Sequence, residues 1–183
     1  PLTVTLGYFP NLTHAPALVG VEKGTYAAAL GQGVQLKTVT FNAGPAALEA
    51  LNAGSVDITF IGPNPTITGF TRSKGQALRV ISGAAANGAA LVVSKDITTP
   101  AQLKGRRLAT PQLGNTQDVA LRYWLKEQGF ATDTEGGGDV SILPQENATA
   151  LQAFSAGQID GAWVPEPWAT RLVREGGGHV LVD

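Results

Sequence analysis

Residues 47–61, ALEALNAGSVDITFI, return as residues 150–164, ALQAFSAGQIDGAWV, at a constant offset of 103 with no gap. Six of the fifteen aligned pairs are identical, among them Ala53, Gly54 and Asp57 against Ala156, Gly157 and Asp160. Six more are close exchanges, such as Val56 for Ile159 and Phe60 for Trp163. A phrase repeated at this length means one supersecondary unit used twice. Its grammar is the same in both copies. An Ala- and Leu-rich stretch (Pro45–Ala53, Thr149–Ala156) has helix formers at helical spacing. A glycine, Gly54 or Gly157, stops it, and a short apolar run follows that reads as a strand.

The repeat extends backwards. LKTVTF (36–41) and VSIL (140–143) read as strands before these helices. Further back, LTVTL (2–6) leads into a helix at about 15–23, and RRLAT (106–110) into one at about 117–128. A further helix is predicted at about 65–74, with LRVISGA (78–84) ending the first half. Strand–helix alternation implies parallel pairing through crossovers, hence an α/β fold. The expected architecture is two lobes, each a mostly parallel sheet with flanking helices: 1–84, a hinge crossing at 85–90, and 91–183. Residues 82–95 read as a strand-like crossing with Gly83 and Gly88 as pivots; an ordinary loop within one sheet is the alternative. The Gly-rich stretches 133–139 and 175–179 precede strands, not helices, so neither resembles a phosphate loop.

Composition removes several function classes. The chain has 13 basic and 14 acidic residues, net charge −1, and no basic block, which argues against a nucleic-acid or membrane surface. It has no cysteine, so disulfides, thiolate nucleophiles and Cys-ligated metals are excluded. No apolar run approaches the roughly 20 residues of a membrane span. The opening residues PLTVTLGYF read as a strand, not as a signal peptide. There is no Ser–His–Asp spacing, no metal-ligand cluster and no GxGxxG after a strand, so no catalytic residue, metal or cofactor is assigned.

Ligands of open parallel sheets bind beyond the carboxyl ends of the strands. Six loops fall there: 8–14, 41–46 and 62–65 in the first half, 111–118, 144–149 and 165–168 in the second. They are rich in Gly, Pro, Asn, Thr and Gln, and none contains Lys or Arg. Thr13, Asn42, Asn115, Thr116 and Asn147 are N-cap candidates, and Pro16 and Pro45 suit first helical turns. Helix starts carry unpaired N–H groups and a positive dipole end, so they hold anions without charged side chains. Each contributes about 0.3–1 kcal/mol when exposed and up to about 2 when partly buried. Several together approach the roughly −8 kcal/mol of micromolar affinity. A small oxyanion is the expected guest.

The stretches YFPNLTHAPALVGVEKGTY, FNAGPAALEALNAGSVDITFIGPNP, TPQLGNTQDVALRYWLKEQGF and LQAFSAGQIDGAWVPEPWATRLVREGG closely resemble the substrate-binding proteins of ABC importers. The subgroup they are similar to handles aliphatic sulfonates, nitrate and taurine. The resemblance implies a two-lobed clamp in the periplasm, or lipid-anchored outside the cytoplasm. It also implies a monomer that delivers a small anionic ligand to a membrane permease, with no nucleic-acid partner. It carries ligand loops onto Tyr8–His14 (including Phe9, Asn11, Thr13 and His14), Asn42–Pro45 with Gly44 and the adjacent Ala46, Gly62–Asn64 with Pro63, Gly114–Thr116 with Asn115, and Glu166–Trp168. Members of that family are longer, so the chain is expected to be a truncated or processed piece lacking the return to lobe 1.

Several of these residues admit two readings. His14 is either an oxyanion donor or a cap-region histidine without a ligand role, and His179 is expected to be solvated. Glu166 either accepts hydrogen bonds from protein donors or from a zwitterion's ammonium group, favours a cationic ligand together with Trp168, or pairs with Arg171 or another base. Tyr8 and Phe9 suit an apolar wall, and Trp163 the core. Asp57 and Asp160 sit at strand starts, opposite the ligand edge, and read as turn-stabilising residues. The alternatives in function are a binder of a thiamine-pyrimidine precursor or cationic amine, and an enzyme on the same fold.

Overall fold

The computed structural model describes residues 1–183. The chain divides into two units, Pro1–Asn87 and Gly88–Asp183. In the first, β1 (Leu2–Tyr8) is followed by a single 3₁₀ turn, α1 (Ala15–Glu22) and α2 (Thr25–Leu30). Then come β2 (Val34–Thr40), α3 (Gly44–Asn52), β3 (Ile58–Thr59) and α4 (Pro63–Arg72). The sheet order is β2-β1-β3, and every pairing is parallel. In the second, the elements are β4 (Ala89–Val93), β5 (Arg107–Ala109), α5 (Thr116–Glu127), β6 (Ser141–Ile142) and α6 (Asn147–Ser155). They are followed by β7 (Gly161–Pro165), α7 (Trp168–Arg174) and β8 (His179–Val182). Its sheet order is β6-β5-β7-β4-β8.

The duplication is visible at the level of register. β1 pairs β3 through Leu6↔Ile58 and Gly7↔Thr59, and β5 pairs β7 through Leu108↔Gly161 and Ala109↔Ala162. The helix α6 lies 103 residues after α3, as the repeated phrase requires. Gly54 and Gly157 stop the two helices with φ of 70° and 69°, a left-handed conformation that glycine alone adopts without cost.

Asp57 and Asp160 explain the last conserved feature of the repeat. The Asp57 carboxylate accepts the Thr5 N–H at 2.8 Å, while the Asp57 N–H donates to the Thr5 carbonyl at 3.0 Å. Asp160 does the same with Arg107, at 2.8 and 2.7 Å. Each aspartate therefore closes a reciprocal bridge across its strand pair at the edge where the strands begin. Only Asp160 has cationic partners, Arg106 at 3.3 Å and Arg107 at 3.4 Å.

Unit 2 covers both sheet faces. Val92, Ala162 and Val164 pack under Leu151, Phe154, Ala169 and Leu172 of α6 and α7. Leu91, Val93 and Leu108 pack with Leu121 and Leu125 of α5, and Trp124 meets Trp163 edge-on at 6.2 Å. Unit 1 buries fewer large side chains, chiefly Leu6, Phe9 and Val56.

Unit 2 is mostly parallel, as expected: β5, β6, β7 and β8 run one way, and only β4, inserted between β7 and β8, is reversed. Two expectations are corrected here. The crossing is strand-like only over Ala89–Val93; residues 78–88 form no strand, and Val80 and Ile81 are 73% and 75% exposed. A strand needs a partner for its N–H and C=O groups, and residues 78–87 lie beside no strand of either sheet; pairing begins where the Gly88 carbonyl accepts the Glu166 N–H at 2.8 Å. His179 is half-buried in β8, paired with Val93, and not solvated.

The two bridges predict unequal costs. Asp160→Ala should destabilise the chain by roughly 2–3 kcal/mol, because a largely buried carboxylate takes with it the Arg107 N–H bridge and the ion pairs to Arg107 and to Arg106, which keeps Asp96. Asp57→Ala should cost about 1 kcal/mol, the worth of an exposed hydrogen bond. Urea denaturation of the two variants checks this, and equal losses would contradict it.

Candidate functional site

Parallel pairing brings the selected loops of each unit to one sheet edge. In unit 1 the Phe41 N–H donates to the Tyr8 carbonyl at 3.0 Å and the Phe60 N–H to that of Gly7 at 2.9 Å. The segments 9–14, 42–46 and 62–64 therefore leave the sheet side by side. In unit 2 the Leu143 N–H donates to the Leu108 carbonyl at 2.8 Å, and Gln145 to Thr110 at 2.9 Å.

At the end of β1 the chain turns through the 3₁₀ segment Leu12–His14, with Asn11 buried behind it. His14 caps α1 and is 8% exposed. Its Nδ1 accepts the Phe9 N–H at 3.1 Å. The Phe9 ring stacks on the imidazole at 4.1 Å, and Phe60 approaches it at 6.1 Å from the end of β3. Burial among these rings lowers the His14 pKa to about 4, since an apolar surrounding disfavours the imidazolium. Phe9 thus serves as a buried stacking partner, while Tyr8 is half-buried at the strand end. Gly44 is required by packing: a Cβ there would lie 2.4 Å from Pro65 Cγ, so the starts of α3 and α4 touch through it. Both helices begin without a side-chain cap, at Ala43 and Gly62, with a proline in the first turn.

In unit 2 the loop before α5 is tied by a residue that the sequence pattern left unselected. Asp118 is 1% exposed, and its carboxylate accepts Thr110 Oγ1 at 2.8 Å, the Gly114 N–H at 2.9 Å and Arg122 Nε at 3.0 Å. Asn115 Oδ1 accepts the Asp118 N–H at 2.8 Å, a true N-cap. The spacing Asn115-x-x-Asp118 is a relative of the capping-box pattern and is the signal that could have found it. Gly114 has a φ of 79° and open space around its Cα. Thr116 follows as the first residue of α5, and its Oγ1 is buried with no hydrogen-bond partner.

Only Asn115 among the five cap candidates caps a helix with its side chain. Thr13 lies inside the 3₁₀ turn, Asn42 stands before the cap Ala43, Thr116 is already helical, and Asn147 follows the cap Glu146. Each miss is a shift of one or two residues in where the backbone turns helical. Glu166 does not pair with Arg171. Its carboxylate accepts the Thr170 N–H at 3.0 Å and Oγ1 at 2.9 Å, closing the first turn of α7. Arg171 instead binds Glu175 at 2.8 and 3.0 Å and lies 4.8 Å over the Trp168 ring, which packs on the core.

Two open concavities lie elsewhere in unit 2. One of about 440 Å³ is lined by Arg122, Tyr123, Lys126 and Phe130, the other of about 450 Å³ by Asp96, Arg106, Phe154 and Asp160. Neither is lined by a residue expected to contact the ligand. No group of three or more His, Asp or Glu side chains could hold a metal, and no helix is long and apolar enough to cross a membrane.

Comparison with known proteins decides the family, since the match to the NMT1-like family runs over residues 1–183. The chain belongs to the NMT1-like family. This member is 29% identical over 182 residues to the taurine-binding periplasmic protein of Escherichia coli K12, covering 100% of the chain and 53% of that protein. It is 27% identical over 174 residues to a putative aliphatic sulfonates-binding protein of Bacillus subtilis 168, covering 92% of the chain and 50% of that protein. Among solved structures it is similar to the alkanesulfonate-binding protein SsuA of Xanthomonas axonopodis pv. citri bound to MOPS. There the TM-score is 0.74 at 26% identity, over 100% of the chain and 61% of SsuA. The chain thus spans about half the length of the curated relatives it matches. These relatives are named as binding proteins, and none as an enzyme.

The buried His14 ring makes stability pH-dependent. Its pKa is lower folded than unfolded, so between about pH 4 and about 6.5 the unfolded chain binds the extra proton. Stability is then full above about pH 6.5 and falls as the pH drops towards 4, by at most roughly 3 kcal/mol. Urea midpoints at pH 7 and 4.5 should differ more for the wild type than for His14→Gln; identical differences would contradict it.

Proposed function

We propose that the protein of which this chain is part is the extracytoplasmic solute-binding component of an ABC importer, capturing a small oxyanion such as an aliphatic sulfonate, taurine or nitrate. The neutral donors offered to a head group at helix starts are, in unit 1, His14, the Gly44–Ala46 segment and Gly62–Asn64, and, in unit 2, Gly114–Thr116. Tyr8 forms an apolar wall against an organic tail. The lobes 1–84 and 91–183, with 85–90 as hinge, belong to the same proposal, as do delivery to a membrane permease and a monomeric state.

The observation that carries the reading is the buried Thr116 hydroxyl without a partner at the start of α5. A buried polar group left unpaired costs about 1–3 kcal/mol. A ligand oxygen would remove that cost and at the same time meet the positive end of the helix dipole. The names of the relatives support the choice of an oxyanion. The cationic-amine alternative is disfavoured by chemistry on the page: Glu166 is engaged by Thr170, and a guanidinium already lies over Trp168.

A thermal-shift panel of sulfonates, nitrate, taurine, thiamine precursors and quaternary amines tests the ligand class. Sulfonates, taurine or nitrate should raise the melting point; stabilisation by quaternary amines alone would overturn the reading. Thr116→Val tests the site. Replacing an unpaired buried hydroxyl by a methyl of similar shape should leave the free protein equally or more stable, while weakening oxyanion binding at least about tenfold. Unchanged affinity would move the site elsewhere.

A further inference from the structure

We propose that the Phe9 amide locks His14 as a neutral donor, protonated at Nε2, and that unit 1 thereby selects singly charged oxyanions over doubly charged ones. The tautomer follows from geometry. Nδ1 accepts the Phe9 N–H at 3.1 Å, so it cannot itself carry a proton, and the neutral ring must carry it at Nε2. No protein acceptor meets Nε2, and it is not closed off from solvent. The ring is held in this orientation by the stacked Phe9 and by Phe60.

Gaining a second proton would break the Phe9 bond and place a charge between two phenyl rings. Neither Phe9 nor Phe60 titrates, and burial alone moves the ring, with no carboxylate or cation acting on it. His14 therefore stays neutral through the range in which an ordinary histidine switches. At an offset of 102 residues, the one that relates β1 to β5 at Leu6 and Leu108, the counterpart of His14 is Thr116, another neutral donor. The duplicated unit thus places an uncharged donor at the same point twice.

Selection by charge follows. The desolvation cost of an anion rises with the square of its charge, whereas its attraction to fixed neutral dipoles rises only in proportion. Loops without Lys, Arg or imidazolium can meet the first charge and not the second. This rests on the oxyanion reading above, and the experiment separates the two.

Long-range ¹H–¹⁵N NMR of the full chain reads the imidazole directly. His14 should show the Nε2–H pattern, with no titration from pH 8 down to about pH 5. A Nδ1–H pattern or a midpoint near about 6.5 overturns the lock, whatever the ligand. Binding is then measured with ethanesulfonate, singly charged throughout, and methylphosphonate, which gains its second charge between about pH 5.5 and about pH 8.5. Ethanesulfonate affinity should change less than about twofold over that range, and methylphosphonate affinity should fall at least about tenfold as the pH rises. Equal binding of both phosphonate forms overturns the selection while leaving the oxyanion reading standing. Failure of ethanesulfonate to bind overturns that reading and the selection with it, while the NMR pattern still decides the lock.

Discussion

Parallel pairing with crossover helices is the constraint on which everything else in this chain depends. A parallel strand must be re-entered from the same side, so each helix start falls at the same edge of its sheet as every other. In unit 1 this sets the segments after β1, β2 and β3 beside one another, held by backbone bonds from Phe41 to Tyr8 and from Phe60 to Gly7. The opposite edge, where strands begin, is closed by the aspartate bridges at Asp57 and Asp160. One edge is therefore spent on holding strands together, and the other is left to present backbone donors. The proposed binding chemistry rests on that division.

The presenting edge has been kept free of charge. In unit 1 its polar groups are a buried histidine held neutral and helix starts with no side-chain cap at Ala43 and Gly62; in unit 2 a threonine hydroxyl stands without a partner. Where charge does occur near it, it is consumed internally. Asp118 is saturated by Thr110, Gly114 and Arg122, and Glu166 by Thr170. Buried charges without partners would destabilise the fold, and free cations would bind any anion regardless of shape. Neutral dipoles at fixed positions reward a guest whose oxygens match their geometry.

The duplication, both βαβαβ units and the roles of Asp57 and Asp160 were legible because each is encoded locally: helical spacing, a stopping glycine, a short apolar strand. Parallel order in unit 1 followed from the alternation of elements. The reversal of β4 was not legible, because a strand's direction is set by which neighbours it finds and not by its own residues. Cap identities were misread by one or two positions at Thr13, Asn42, Thr116 and Asn147, since several polar residues compete at each helix start. Asp118 was missed as a buried group because an Asp and an Arg four apart on a helix read equally well as an exposed pair; burial is set by Thr110 and Gly114, which the loop before α5 folds onto the carboxylate. For Glu166 a protein donor was among the readings but its identity was not legible: Thr170, four residues on, supplies it, while Arg171 turns to Glu175.

The most direct test of neutral-dipole capture is to follow every backbone amide while ethanesulfonate is added to the ¹⁵N-labelled chain. The largest shifts should fall at Phe9–His14, Gly44–Ala47 and Gly114–Gln117, with the arginine side chains unmoved. Shifts centred instead on Arg106, Arg107 and Lys95, at the edge where the strands begin, would contradict the account.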